Sequence, residues 1–275
     1  MKAGGVARAE SVSTRVAPTG WFANARAALL SVVFPAPCRI CEQVLTEPTR
    51  IPICNACLDS FQPIAGRVCD VCGMPVEASN ALEAAAFVCP LCKDPNRTYA
   101  FDRMRSWSFY EGAVVRAILL LKFESIEPLG GLFARLLAEM TADSGADFEA
   151  DVVVPVPLHR QRERERGYNQ AALIAKPLAK QLGLPCKSVL LTRIRPRPDK
   201  HILTLEERWD SVRGAFATRP GSQVDNLRVL LIDDVMTTGA TLDSCARTLR
   251  DAGAKSVVGV TVARARLRNT AAHVR

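Results

Sequence analysis

The sequence predicts an α/β protein: a mostly parallel sheet flanked by helices, with a small cysteine-rich zinc-ribbon module in front of it. Three observations predict it. From Arg103 onward short β-branched runs alternate with stretches of helical periodicity, the pattern of strands joined by crossover helices. Eight of the ten cysteines form four C-x-x-C pairs ahead of that region. A chain of 275 residues with 48% apolar content has ample material to bury a core, in one large domain or two smaller ones.

Taken in order, residues 1–20 read as a disordered tail and Trp21 to Phe34 as a helix that docks on the zinc module. Arg26 followed by AALLSVVFPAPC has the outline of a short signal peptide ending at a lipid-modified cysteine. The outline fails because the apolar run is short and Pro37 directly precedes Cys38. Nothing approaches the roughly 20 apolar residues of a membrane span, so no membrane partner is expected.

The pairs Cys38/Cys41, Cys54/Cys57, Cys69/Cys72 and Cys89/Cys92 follow. Two intervening residues let both thiolates of a knuckle meet one tetrahedral ion, and two knuckles close the site with no open position. The eight ligands suffice for up to two structural zinc ions, whose thiolates suit a cytoplasmic compartment. Sequential pairing gives spacers of twelve and sixteen residues; cross-bracing of first with third and second with fourth is the alternative. Cys186 and Cys245 read as inert core thiols.

A boundary falls near Lys93 to Thr98, where DPN marks a turn, giving a module over 21–97, a second domain over 98–266 and a tail over 267–275. In that domain Arg103 to Tyr110 reads as a strand, and Gly112 to Phe123 and Leu129 to Ala142 as helices. Asp151 to Val156 is a strand, Asn169 to Leu182 a helix and Ser188 to Ile194 a strand. Leu205 to Val212 is a short helix, Arg228 to Ile232 a buried strand, Thr241 to Ala252 a helix and Ser256 to Ala263 the last strand. No long internal repeat is apparent.

Charge is concentrated. Between His159 and Pro220 fourteen Lys/Arg stand against six Asp/Glu, a net +8 that equals that of the whole chain. A local basic surface suits an anionic ligand, from a diphosphate to a nucleic acid. The tract RQRERER carries the densest part. In an extended loop Arg160, Arg162, Arg164 and Arg166 would share one side and converge on a diphosphate; in a helix they would scatter. Pro155, Pro157 and Gly167 favour the loop.

The segment VLLIDDVMTTGATL, Val229 to Leu242, holds the most specific chemistry. Ligands of such sheets lie at the carboxyl ends of strands, and there Asp233 and Asp234 can accept hydrogen bonds from vicinal hydroxyls. Thr237, Thr238, Gly239, Ala240 and Thr241 offer backbone N–H groups, hydroxyls and a helix N-terminus to a phosphate. Together they would hold a ribose 5-phosphate, and hydroxyl donors with a nearby Mg²⁺ would keep both acids ionised.

VLLIDDVMTTGAT resembles the signature by which type I phosphoribosyltransferases bind phosphoribosyl diphosphate (PRPP): four apolar residues, two acids, two variable positions and a T-x-G-x-T loop. VPVPLHRQRERERGYNQ, the four C-x-x-C pairs, LLLKF (Leu119 to Phe123) and the Arg208 to Phe216 element resemble the ComF-type competence proteins, which include the GntX-like proteins. The likeness runs from about Trp21 to Arg264. It implies a type I phosphoribosyltransferase-like fold, with the loop after Val152 to Val154, including Pro155 and Val156, around the pyrophosphate. Arg162 and Arg166 match the family's basic positions, and Tyr168, Asn169 and Gln170 its next element. Lys122 reads equally as a further cation at the site and as an ordinary helix-end lysine. Lys200 and Ser211 stand where many relatives carry Gln and Asn, which puts any base specificity in doubt.

Three functions fit. The first is a Mg-dependent transferase of phosphoribosyl from PRPP, with Asp233, Asp234, Arg162 and Arg166 at the reacting centre. The second is a non-catalytic PRPP or nucleotide sensor linked to competence and DNA uptake. The third is a zinc-dependent single-stranded DNA adapter, or a docking partner of competence proteins. Aromatics for base stacking are few at 6%, which weakens the third; His159 and His201 offer no clear general base.

Overall fold

The computed structural model describes residues 36–45, 49–75, 87–95, 98–143, 148–196 and 205–266. The expected helix at Trp21 to Phe34, both tails, and Lys200 and His201 lie outside these residues.

Strands β1 (Arg103–Phe109), β2 (Val152–Pro155), β5 (Arg228–Met236) and β6 (Ser256–Arg264) form one sheet in the order β1-β6-β5-β2, and every pairing is parallel. Beyond β2 a parallel bridge between Val153 and Cys186 adds a short fifth segment. Strands β3 (Leu191–Arg193) and β4 (Phe216–Thr218) make a separate antiparallel pair. The inner part of the sheet is buried on both faces, so β2, β5 and β6 are nearly continuous buried runs, while edge strand β1 alternates buried with half-buried residues. Leu230 and Ile232 of β5 belong to one apolar cluster, with α3 (Gly112–Phe123), α4 (Pro128–Asp143) and α6 (Gln170–Leu182). Val229 and Leu231 belong to the other, with α8 (Ala240–Asp251) and with Trp209 of α7 (Leu205–Asp210) packed against it.

The cysteine pairs close sequentially. Cys38, Cys41, Cys54 and Cys57 form one group and Cys69, Cys72, Cys89 and Cys92 the other, the sulfurs of each lying within 4.8 Å of one another. Individual Sγ–Sγ separations of 3.9 Å (Cys38–Cys57), 3.6 Å (Cys41–Cys54) and 3.7 Å (Cys72–Cys89) match the edge of about 3.8 Å expected when four thiolates sit about 2.3 Å from a central zinc. They are far from the roughly 2.05 Å of a disulfide. The Cys54 N–H donates to Cys38 Sγ and the Cys89 N–H to Cys69 Sγ, each at 3.3 Å. Each second knuckle opens a short helix, α1 (Asn55–Asp59) or α2 (Pro90–Lys93).

The ribbons straddle the sheet. Cys38, Leu45, Ile53 and Phe61 join the cluster that holds α3 and α4, whereas Cys69, Cys72 and Cys89 join the one that holds α8. Both ribbons also hydrogen-bond to edge strand β1, through Ile64 N–H to Trp107 O at 2.7 Å and Met104 N–H to Val71 O at 2.8 Å. An edge strand with open N–H and C=O groups invites wrong pairing, and here those groups are engaged. Gly73 is required at this junction: its φ is +69° and a Cβ would lie 2.6 Å from Met104 O.

One local expectation is overturned. The RQRERER tract is not an extended loop but a helix, α5 (Arg160–Arg166). Arg, Glu and Gln are good helix formers; Pro155 and Pro157 precede the helix, where they do no harm, and Gly167 ends it with φ +85°. Strand β5 is also longer than expected, running through both acids to Met236.

Candidate functional site

The site forms where β2 and β5 part. Pro155 pairs with Ile232 and the Val156 N–H reaches Ile232 O at 2.8 Å, after which β2 leaves the sheet. Strand β5 continues beside β6 alone, Asp233 opposite Thr261 and Met236 opposite Arg264. The acids therefore lie inside a strand that has lost its neighbour on one side. The equivalent in an open sheet is the crevice at the strand ends.

Asp233 is 8% exposed and Asp234 3%. Asp233 Oδ1 accepts from the Asp234 N–H at 2.9 Å. Burial, and then the neighbouring Asp234 charge, push the Asp233 carboxyl well above its ordinary value, opposed by Lys122 and by that backbone N–H. Asp234 faces Lys122: Nζ of the lysine lies 2.5 Å from Asp234 Oδ2, with the lysine side chain 19% exposed. Within the protein, the Lys122 cation offsets the paired acids. Lys122, which the sequence left evenly balanced, is the residue of the site that sequence reasoning undervalued. The signal was its place in LLLKF, a helix end followed by an aromatic.

Beyond β5 the chain turns through Thr237, which is exposed, and Thr238, which is half-buried, to buried Gly239. Gly239 caps α8 with φ +84°, and a Cβ there would come to 3.0 Å from Met236 Cε. The Ala240 N–H donates to Thr238 Oγ1 at 3.3 Å, and Thr241 stands in the first turn of α8, whose N–H groups lack intrahelical partners. The five loop residues are thus gathered around a helix N-terminus, three residues from the acids.

On the other side, the chain between Val156 and α6 is fastened by Asn169. Its Oδ1 accepts from the Ala171 N–H at 2.9 Å, capping α6, while its Nδ2 donates to Val156 O at 3.0 Å. The hydroxyl of Tyr168 donates to Leu121 O at 2.5 Å, which ties this turn to the end of α3. Helix geometry splits the four arginines. Arg162 and Arg166, four apart, share a face, and Arg160 and Arg164 share another. Arg162 is exposed and Arg166 half-buried. Burial and then the Arg162 charge lower the Arg166 pKa, and the Asp234 charge works against them. Arg166 also donates to Gln170 Oε1 and lies 5.0 Å over the Phe123 ring.

A parallel sheet with buried acids on β5 and a Thr/Gly loop opening α8 defines a phosphoribosyltransferase-type domain, here carried behind paired zinc ribbons. The family described as "Phosphoribosyl transferase domain" matches residues 168–273, and "Double zinc ribbon domain" matches residues 29–94. The DNA utilization protein YhgH of Salmonella typhimurium is 30% identical, over 81% of this chain and 94% of that protein. Competence protein ComFC of Bacillus subtilis is 29% identical, over 77% and 84%, and competence protein F of Haemophilus influenzae 28%, over 58% and 71%. Among solved structures, the glutamine PRPP amidotransferase of B. subtilis aligns at 25% identity and TM-score 0.34, over 49% of this chain and about a quarter (26%) of that one. The chain belongs to the ComF-type competence protein family.

Proposed function

We propose that the protein binds PRPP with Mg²⁺ at this site and transfers its phosphoribosyl group to a nucleophilic acceptor, releasing pyrophosphate, in a cytoplasmic process connected with DNA uptake. The observation that carries the reading is the buried acid pair on β5, three residues from a helix-opening Thr/Gly loop. Ribose hydroxyls would donate to Asp233 and Asp234, and the 5-phosphate would rest on residues 237–241. The pyrophosphate would lie by Pro155 and Val156 and the Arg162/Arg166 face of α5. Carboxylates are hard oxygen donors that suit Mg²⁺, and at Asp234 Oδ2 the ion would have to share or displace the Lys122 cation. Bound with PRPP, the ion would supply positive charge to the leaving group. As the C1–O bond breaks, its electron pair departs with pyrophosphate and the acceptor bonds to C1. Lys122, Arg162 and Arg166 would stabilise that departing charge. Residues 21–97 and 98–266 would be the two units, the first folding around zinc.

Calorimetric titration with PRPP and Mg²⁺, on wild type and on Asp233→Asn with Asp234→Asn, tests binding. Saturable binding that the double substitution abolishes is expected, and no binding by wild type would sink the reading. Pyrophosphate release with a panel of bases and amines then tests transfer. The relatives' names favour a second reading, because they speak of competence and DNA utilization: a PRPP or nucleotide sensor coupled to single-stranded DNA. Binding without turnover, together with chelator-sensitive DNA binding, would select it. No helix among the described residues is long and apolar enough to cross a membrane.

A further inference from the structure

The two four-cysteine groups share their chemistry but differ in access. In the second, Cys69, Cys72 and Cys89 are buried and Cys92 is half-buried. In the first, Cys38 alone is buried; Cys54 and Cys57 are half-buried and Cys41 is exposed. Oxidation of a thiolate follows its exposure, so an oxidant in water meets Cys41 first. Cys54, from the other knuckle of the same group, lies 3.6 Å from it, sulfur to sulfur. The first group also holds an end of the candidate site. Arg39 stands between Cys38 and Cys41, and its N–H donates to Pro52 O at 2.8 Å. Its guanidinium pairs with Glu124, the C-terminal cap of α3, and its carbonyl accepts from Arg116 Nε at 3.1 Å. Arg116 also pairs with Glu124, at 3.0 Å. Glu124 comes two residues after Lys122, the cation that meets Asp234. The first knuckle therefore clasps the helix end that carries this cation.

We propose that Cys41 is an oxidation site, and that its reaction with a peroxide opens the first ribbon and frees Lys122 from its fixed place at the acid pair. The Cys41 thiolate attacks one peroxide oxygen, the O–O bond breaks, and a sulfenic acid and hydroxide result. The Cys54 thiolate then attacks the Cys41 sulfur, a second hydroxide leaves, and a Cys41–Cys54 disulfide forms. Two thiolates thus give two electrons to one hydrogen peroxide, which takes up two protons and ends as two waters. The sulfurs must close to about 2.05 Å, and two of the four donors are lost to zinc. Arg39 is then no longer aimed at Glu124. The second group, buried and tied through Cys72 O to Arg264, stays closed and keeps the fold. The consequence for ligand binding rests on the phosphoribosyl reading; the oxidation and the release of Lys122 do not.

The test titrates the zinc-loaded full chain with hydrogen peroxide. Released zinc is read with a chromophoric chelator, disulfides by peptide mass mapping, and the freedom of Lys122 by its acylation with an amine-reactive ester. About half of the bound zinc should leave first, with a Cys41–Cys54 disulfide, while unfolding stays cooperative. Acylation of Lys122 should rise several-fold, PRPP affinity should fall several-fold, and a thiol reductant with added zinc should reverse all of these. Arg39→Met should release zinc to peroxide as wild type does, yet start with Lys122 already reactive and show no further change. Simultaneous loss of both zinc equivalents, or a first disulfide within Cys69 to Cys92, overturns the oxidation site. Zinc release that leaves Lys122 acylation unchanged overturns the coupling to the acid pair. If the reduced protein fails to bind PRPP, the phosphoribosyl reading falls by itself, and zinc order, disulfide map and Lys122 acylation still decide the inference.

Discussion

Arg264, the last residue of β6 and only 1% exposed, donates from Nη1 to the backbone carbonyl of Cys72 at 2.7 Å. Cys72 belongs to the second four-cysteine group, and Arg264 pairs across the sheet with Met236, two residues past Asp234. The knuckle is therefore wired to the strand end that bears the site. Arg264 Nε makes no hydrogen bond, so the guanidinium depends on the few partners it has, and losing a buried partner costs about 1–3 kcal/mol. Zinc removal should consequently lower the melting temperature of the whole protein and weaken PRPP binding. Arg264→Met should destabilise by about 2 kcal/mol with zinc still bound. Thermal unfolding alongside zinc release measures both. A chelated protein that melts at the native temperature would show the ribbon to be an independent appendage.

Lys122 and Asp234 are a largely buried pair, and breaking such a pair from one side costs more than removing both partners. Lys122→Met should destabilise by about 3 kcal/mol, because it leaves two adjacent acids without their cation. Adding Asp234→Asn should restore most of the loss, and urea unfolding of the four-member cycle reads the coupling. Additive losses would mean that the lysine acts through its aliphatic stem alone.

How far the sequence could be read depends on how far apart the interacting residues are. The strands and the helices of the sheet were legible because their signals are local: β-branched runs such as VVGV and apolar periodicity in Gln170–Leu182. The zinc groups and the acid pair with its Thr loop were legible because each is set by short spacing. Lys122 stands 112 residues before Asp234 in sequence, and no local pattern shows that they meet. Arg264 and Cys72, 192 residues apart, are the same case. RQRERER was misread for another reason. Prolines and a glycine around a charged tract mark a loop or bound a helix equally well, and here Gly167 is a C-cap. β3 and β4, three residues each, are fixed by each other more than by their own propensities.

The acids should give the protein two opposite pH dependences. Asp151 is held at about 2, first by its side-chain hydrogen bond to Arg228 and then by the Arg228 N–H. A depressed carboxyl contributes stability that is complete above its unfolded value near 3.9 and is lost as pH falls through about 2. Asp233 is raised by burial and by Asp234. The folded protein therefore binds that proton more tightly than the unfolded chain, and the stability this gives is lost as pH rises through the folded value. Asp233→Asn should thus be more stable than wild type at pH 7, by on the order of 1 kcal/mol. The difference should shrink as pH falls toward the ordinary aspartate range, while PRPP binding is lost. Urea unfolding at a series of pH values checks the sign, and a gain that grows on acidification would refute it.

Asn169 lets positioning of the pyrophosphate be separated from grip on the sugar. One side chain caps α6 and fastens the chain after β2, through Ala171 N–H and Val156 O. Asn169→Ala should cost about 1–2 kcal/mol as an N-cap loss, and Asn169→Asp keeps the cap acceptor while removing the donor to Val156. Because the Val156 tether shapes only the side where pyrophosphate is expected, Asn169→Asp should weaken PRPP several-fold and leave ribose 5-phosphate nearly unchanged. Paired titrations of the two ligands check this. Equal weakening of both would mean that Asn169 supports the fold of the whole site and not one end of its ligand.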